Sequence, residues 1–599
     1  MFIGRPPGGF KQSAYSQYIV NPADPSTFPV ALTMSQILNH KDPLSTTFYQ
    51  RYWYNPQYAY DSGIGPVAFL VLGGEAPENG GCITDMNWHH VQLAQMFGAH
   101  LFCLEHRFFG ESIPNTFGDK FNMSMLSLLT TEQAVQDVIG FKLKVEDKFK
   151  LKAPKWVLFG ETYSGVLAAK IRARYPLVTV AALASSAAIL ERPDNPGYSN
   201  KLESNLGSIY PNDKQCNAMA ASLFKTLNDM LATAEGRNQL NQYLHLDPPL
   251  NGRPDNLSTS YFFSNIHGMF AAMQQYWMLA SFKEDQKLNP ILLCNTLFLS
   301  GDPVRNLWTL YQKYMTFFSS KVPDKWKNAH SYSDFVQELK SQYDGTEIKT
   351  DTRSNGNWLW LSCNELGRMP TTASSSMFGE IIPLSFYSSL CKDVFNLDYP
   401  ATLANMPSLN NYTDVSFAYG KQDPWTELGD FNVSDPRNLH PIIISNAGQL
   451  ADFVSTVEAE TISIVTAREE KAKFLENALK MTRGSTARPP VYTTRPLPVQ
   501  TTTHKIITIF AAAPQVSSTK VTTTKNPVQP QTTSKGNTQK PVNQPTTNKG
   551  PPVVPTKVTY WPPQLITTPP RTPVETTTKS SRLQMSVFSV ALLFIVLSS

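Results

Sequence analysis

Lys155-Trp156-Val157-Leu158-Phe159-Gly160-Glu161-Thr162-Tyr163-Ser164-Gly165 is the stretch that decides how this chain folds. The apolar run Trp156 to Phe159 reads as a strand buried on both faces. Small residues then make a tight turn, and Val166 to Tyr175 reads as a helix that ends before Pro176. Strand, tight turn and helix form the setting in which a G-x-S-x-G sequence lifts a nucleophilic hydroxyl above a sheet. Thr162 stands at the nucleophile position. An ordinary glycine-containing strand–helix turn has the same local pattern, so the flanking sequence has to decide.

On both sides the pattern is α/β. Val67 to Leu72 reads as a buried strand, Val91 to Phe97 as a helix and Leu101 to Leu104 as the next strand. Thr130-x-x-Gln133 has the form of a capping box, opening a helix that carries Ala134, Val135, Val138 and Phe141. This alternation implies a parallel sheet with helices on both faces. Residues 193–378 break it. Leu223 to Leu231 and Phe262 to Phe282 have helical spacing and many Phe, Tyr, Trp and Met, which reads as packing core before it reads as a ligand box. The α/β pattern resumes over 379–483, with strands at Ser416 to Tyr419 and Ile442 to Ser445 and a long helix from Thr456 to Met481.

Several ordered blocks resemble the family of prolyl carboxypeptidase, the related dipeptidyl peptidases and thymus-specific serine peptidase. They are Gln36-Ile37-Leu38-Asn39-His40, Phe48-Tyr49-Gln50-Arg51-Tyr52, Gly73-Gly74-Glu75 and Leu104 to Ser112 with its Glu105-His106-Arg107. Gly160, Tyr163, Gly165, Tyr175 and Pro176 match the family's elbow and helix, and Ala184-Ser185-Ser186-Ala187 its next strand end. Trp358 with Cys363, Glu365 and Gly367, and Tyr419-Gly420 with Asp423-Pro424-Trp425, continue the resemblance toward Leu479. Leu361 stands where the family carries Gln. The resemblance implies an α/β-hydrolase fold (1–192 and 379–483) interrupted by a helical cap (193–378). It also implies cleavage of Pro-containing peptides near a terminus, and disulfides Cys216–Cys294 and Cys363–Cys391. No cofactor or metal belongs to that chemistry. Cys103 lies on an apolar strand, where a buried free thiol and a bond to Cys82 are equally open.

Acyl transfer on this fold needs a nucleophile, an orienting carboxylate and a base in the order Ser, Asp, His, together with an oxyanion hole. Asp423 matches the carboxylate. Tyr163 follows the nucleophile position, and its main-chain N–H with that of Gly74 would make the oxyanion hole. The other two parts are altered. Thr162 is β-branched at a turn that demands positive φ, and Glu161 brings a carboxylate and bulk to a crowded turn. After the strand at Ile442 the family reads G-A-H-H-L-D, and here Gly448 and Gln449 stand where its histidines belong. Neither accepts a proton near neutral pH. His440 precedes the strand, at the wrong end of the sheet, and His106 matches a family histidine outside the triad. The expectation is a non-catalytic homologue that holds a peptide in its cleft or docks a protein partner on its cap. A homodimer is also considered. The alternatives are a working serine-type peptidase with an unidentified base, and a glycosylated structural coat protein.

Charge and composition separate the tail from the head. From Gly484 onward, 12 Lys and Arg face a single acid, Glu575, a surplus of +11 against +5 for the whole chain, so residues 1–483 carry −6. The basic balance therefore belongs to the tail, where the charges stand singly, and nucleic-acid binding is not expected. Six cysteines without a CxxC argue against zinc. Sequons at Asn122, Asn256, Asn411 and Asn432 suit a secreted, disulfide-forming chain. Residues 484–580, rich in Thr and Pro, read as a disordered stalk, either mucin-like and O-glycosylated or an unmodified linker. Residues 581–599 hold the apolar run Met585 to Leu597, shorter than the roughly 20 residues of a spanning helix. It reads as a lipid-anchor attachment signal near Ser580 or Ser581, with a tail-anchored helix as the alternative. Residues 1–8 show no apolar signal core, so a secreted protein is expected to start further upstream.

Overall fold

The computed structural model describes residues 28–60, 63–114, 123–209, 215–275, 288–319, 322–327, 331–343, 350–399, 412–429, 439–454 and 461–480. The chain divides into two compact units, Met1–Thr508 and Ile509–Ser599, and every described residue lies in the first. The expected stalk and apolar end, and the sequons at Asn122, Asn411 and Asn432, lie outside the described residues. Asn256 is described and exposed.

The strands are β1 (Leu32–Ile37), β2 (Thr47–Asn55), β3 (Val67–Leu72), β4 (Ala99–Leu104), β5 (Lys155–Glu161), β6 (Ala181–Ser185), β7 (Leu246–Asp247), β8 (Trp326–Lys327), β9 (Val415–Gly420) and β10 (Leu439–Ile444). Eight of them form one sheet in the order β1-β2-β4-β3-β5-β6-β9-β10, and β7 pairs only with β8. From β4 to β10 the pairing is parallel, with Val67 opposite Ala99 and Val157 opposite Ala181. The sheet is not parallel throughout, as the alternation had implied. β1 and β2 form an antiparallel edge, with Leu32 opposite Tyr52 and Tyr52 opposite Leu104. The reason is local, because Asn39 to Thr46 turns the chain straight back with no crossover helix.

The helices are α1 (His89–Phe97), α2 (Thr131–Lys148), α3 (Thr162–Arg174), α4 (Pro196–Ile209), α5 (Gln215–Ala232), α6 (Ala234–Tyr243), α7 (Asn256–Gln275), α8 (Pro290–Leu297), α9 (Pro303–Ser319), α10 (Tyr332–Ser341), α11 (Thr350–Leu361), α12 (Leu384–Phe395) and α13 (Ile462–Leu479). Alternate residues of β3 enter opposite apolar layers, Phe69 and Val71 on one side and Leu70 and Leu72 on the other. The fold is an α/β hydrolase, and α4 to α11 form its helical insert. Phe224, Phe263, Met269, Phe270 and Met273 of that insert are completely buried in one continuous core, so its aromatic stripe is packing. Disulfides join Cys216 to Cys294 and Cys363 to Cys391 as expected, and Cys82 is bonded to Cys103.

The blocks that carry the resemblance meet under the sheet edge. Fully buried Arg107 places Nε 2.6 Å from Asp137 Oδ2 and Nη2 2.6 Å from Oδ1, and donates further to the carbonyls of Ile37, Leu38 and Leu128. His40 Nε2 lies 2.8 Å from the same Asp137. Glu105, also fully buried, accepts from Arg51, from the Ser112 hydroxyl at 2.6 Å and from the N–H groups of Glu78 and Ser112. Replacing Arg107 by Ala leaves the Asp137 carboxylate buried with only His40 as a side-chain partner. That change is expected to cost roughly 3–5 kcal/mol, and the apolar pair Arg107→Met with Asp137→Leu to recover most of it. The thermal unfolding midpoint of the purified variants is the check, and a neutral Arg107→Ala would remove the role given to this pair.

Candidate active site

The turn between β5 and α3 is a nucleophile elbow in shape. Thr162 has φ +51, the left-handed region that β-branched residues resist. Holding it there costs on the order of 1–3 kcal/mol, which the packing around it must supply. A Cβ at Gly160 would lie 2.1 Å from the Ser164 carbonyl oxygen, so this position admits only glycine. Glu161 does not crowd the turn as expected. It is buried, its carboxylate accepts from the Ser164 main-chain N–H, and Ser164 Oγ accepts in return from the Glu161 N–H at 3.0 Å. The added acid has become half of a capping box.

Thr162 is partly exposed, and its hydroxyl donates to Glu75 Oε1 at 2.9 Å. Glu75 follows Gly73 and Gly74 on the loop after β3, and a Cβ at Gly74 would lie 3.7 Å from Ser164. The Gly74 loop therefore rests on the elbow beside Tyr163, whose N–H belongs to the first turn of α3 and has no partner within the helix. Those are the two positions expected to supply oxyanion donors. A carboxylate bonded to the nucleophile oxygen opposes the growth of a second negative charge beside it.

Asp423 follows β9 and caps the short turn Pro424–Leu428, with Oδ1 accepting from the Trp425 N–H at 2.9 Å. It is completely buried, and among the described residues no group lies within hydrogen-bond geometry of Oδ2, the Ser186 hydroxyl acting on the carboxylate from nearby. Burial raises its pKa to about 7, against the opposing pull of the Trp425 N–H, the Ser186 hydroxyl and Lys201. In a working triad that second oxygen would receive the base.

The loop after β10 supplies none. Gln449 is buried, its N–H donates to the Gln275 carbonyl at 2.8 Å, and its Oε1 accepts from Gln275 Nε2 at 2.5 Å. Gln275 Oε1 in turn accepts from the Tyr198 hydroxyl at 2.6 Å. The side chain at the base position is thus tied to the end of cap helix α7. Gly448 presses its carbonyl toward Gly420, where a Cβ would come within 2.0 Å. His440 sits second in β10, in register with Ser416, well before the loop. His106 is buried, with its pKa lowered to about 4 by desolvation, between the Arg107 carbonyl at 2.6 Å and the Tyr163 hydroxyl at 3.4 Å. Among the described residues no histidine hydrogen-bonds to Thr162 or Asp423.

Three participants were not singled out in the sequence. Ser186, at φ +50, accepts from the Leu450 N–H at 3.1 Å while favouring ionised Asp423, so it joins the carboxylate to the base loop. Its block was visible, but not its partners. Glu75 lay inside a matched block without a role. Gln275 lies in the cap, 174 residues from Gln449, and no local pattern marks it.

Serine carboxypeptidase S28 is the family whose model matches the chain, over residues 36–471. A Caenorhabditis elegans protein described as a serine protease is 32% identical over 453 residues, covering 72% of this chain and 81% of its own. Thymus-specific serine protease of Mus musculus is 26% identical over 72% of this chain and 84% of its own. Lysosomal Pro-X carboxypeptidase of Bos taurus is 25% identical with the same coverage, 72% and 84%.

Buried Asp423 should leave a signature in the pH dependence of stability. Its folded pKa, about 7, lies above the ordinary aspartate value of 3.8. As pH rises through that interval the unfolded chain loses the proton first, so the Asp423 contribution is full below pH 4 and is lost by pH 7. Relative to Asp423→Asn, the wild type should therefore lose up to about 4 kcal/mol between pH 4 and pH 7.5. Thermal midpoints of the two proteins across that range test this, and parallel curves would show that Asp423 is ionised or hydrated in the folded protein.

Proposed function

The chain belongs to the serine carboxypeptidase S28 family, and on that premise we propose that it is a non-catalytic member retained for binding. Asp423, buried with an open oxygen, carries this reading. Among the described residues the carboxylate that would orient a base has none to orient, and the Gln449 side chain is committed to the cap. Thr162 is strained and bonded to a carboxylate. The binding surface left by such a site is the cleft between sheet and cap, and its occupant is a peptide or a protein partner.

A second reading rests on one contact. Among the described residues Glu75 is the only hydrogen-bond partner of the Thr162 hydroxyl and could accept its proton, which would make the chain a peptidase with an unusual base. Glu75→Gln separates the two, because it abolishes activity only under the second.

Wild-type protein should neither hydrolyse Pro-containing peptides nor take up a fluorophosphonate. Thr162→Ser alone should stay inactive. Thr162→Ser with Gln449→His should exceed both single variants in turnover by on the order of 10²-fold. Stoichiometric labelling of wild-type Thr162 would overturn the proposal.

Relatives carry the words extracellular and lysosomal in their names. Three disulfides and an exposed Asn256 in this chain suit the same secretory route. No helix among the described residues is long and apolar enough to cross a membrane. We propose that residues 484–580 form a glycosylated stalk and that the apolar end is exchanged for a glycolipid. Expressed with a secretion leader, the protein should reach the cell surface and be released by phosphatidylinositol-specific phospholipase. Surface protein that resists the enzyme and keeps its final residues would show a spanning helix instead.

A further inference from the structure

The chain enters and leaves the cap through two connections that lie side by side. Arg368 donates its N–H to the Arg192 carbonyl at 2.7 Å, Met369 to Pro193 at 3.2 Å, and Asn195 returns a bond to Met369 at 2.9 Å. Gly367 and Arg368 both have positive φ, +62 and +66, and the Arg368 side chain is only 5% exposed. Its Nε and Nη2 are buried and have no hydrogen-bond partner among the described residues.

These two atoms form the side edge of the guanidinium. Their N–H bonds run parallel and match the two oxygens of a carboxylate. The neighbouring groups are engaged elsewhere. Glu191 lies 3.5 Å from Lys170 Nζ, Glu365 Oε2 accepts from the Thr131 N–H at 2.7 Å, and the Tyr419 hydroxyl donates to the Ala187 carbonyl at 2.7 Å. Glu191, Tyr412, Tyr163 and Tyr419 all act on Arg368 through space, yet none bonds to its open edge. Burial lowers the guanidinium pKa to about 10, as expected for a charge without a direct partner. Proteins rarely leave a buried charged donor unanswered, because desolvation then goes uncompensated.

We propose that Arg368 is a carboxylate-binding site at the root of the cap, with Nε and Nη2 each donating to one oxygen of the ligand. Lys170, buried in α3, is paired with Glu191 and so leaves that carboxylate less free to answer Arg368. Tyr163, next to Thr162, also acts on Arg368, so the site lies behind the elbow. Both donor atoms are closed to solvent. A peptide C-terminus and a free small carboxylate share this chemistry. The site stands whether or not Thr162 is catalytic.

Thermal unfolding of the full chain in sodium acetate and in sodium chloride at equal ionic strength tests it. A saturable rise in midpoint is expected in acetate and not in chloride. Arg368→Gln should abolish the rise. Arg368→Lys, which keeps the charge and loses the fork, should need at least tenfold more acetate for it. A Pro-containing peptide with a free C-terminus that acts at tenfold lower concentration than its amide identifies a peptide as the source. Equal action of acid and amide, with acetate still effective, identifies a small carboxylate. Indistinguishable midpoints in acetate and chloride for the wild type, or an acetate response that survives Arg368→Gln, would overturn the proposal. The wild-type comparison decides even if a variant fails to fold.

Discussion

The buried pair Arg107–Asp137 holds together everything on the near side of the sheet. One guanidinium satisfies both carboxylate oxygens and the carbonyls of Ile37, Leu38 and Leu128, so the end of β1, the approach to α2, α2 itself and the end of β4 share one anchor. Such a pair is stable only when its donors and acceptors are matched, so removing one partner alone is costly. Glu105, two residues earlier, does the same for Arg51, Glu78 and Ser112. The motifs that tie this chain most firmly to its relatives are therefore structural. They keep the elbow, the Gly74 loop and the sheet in place whatever chemistry the site performs.

That separation accounts for the state of the site. The frame of a serine hydrolase is present: the positive φ at residue 162, the glycines at 160 and 420 that let backbones meet, and a buried carboxylate after β9. Glu161, Thr162 and Gln449 stand where the family pattern carries other residues. Each change has been absorbed locally, Glu161 into a helix cap, Thr162 onto Glu75 and Gln449 onto Gln275. Asp423 is buried, and among the described residues its Oδ2 has no hydrogen-bond partner.

The cap is bound to the hydrolase core by polar as well as apolar contacts. Gln449 and Tyr198 meet at Gln275, while the connections at Arg192 to Asn195 and Gly367 to Met369 run together. The loop after β10 is fastened to the cap through both the main chain and the side chain of Gln449. The same junction holds Arg368, whose unmatched fork gives the root of the cap a chemistry of its own.

Patterns of apolar residues and matched blocks determined the hydrolase core, the helical insert and two of the three disulfides, because each depends on residues close in sequence or on ordered motifs. Val67 to Leu72, for instance, is apolar on both faces, and only a central strand needs that. The antiparallel edge was hidden because β1 and β2 alternate too weakly to show their direction. The bond between Cys82 and Cys103, the Glu75 hydroxyl contact, the hold of Gln275 on Gln449 and the unmatched edge of Arg368 were decided only in three dimensions. Each depends on two groups brought together by packing from distant parts of the chain, and a single sequence records the groups without recording that they meet.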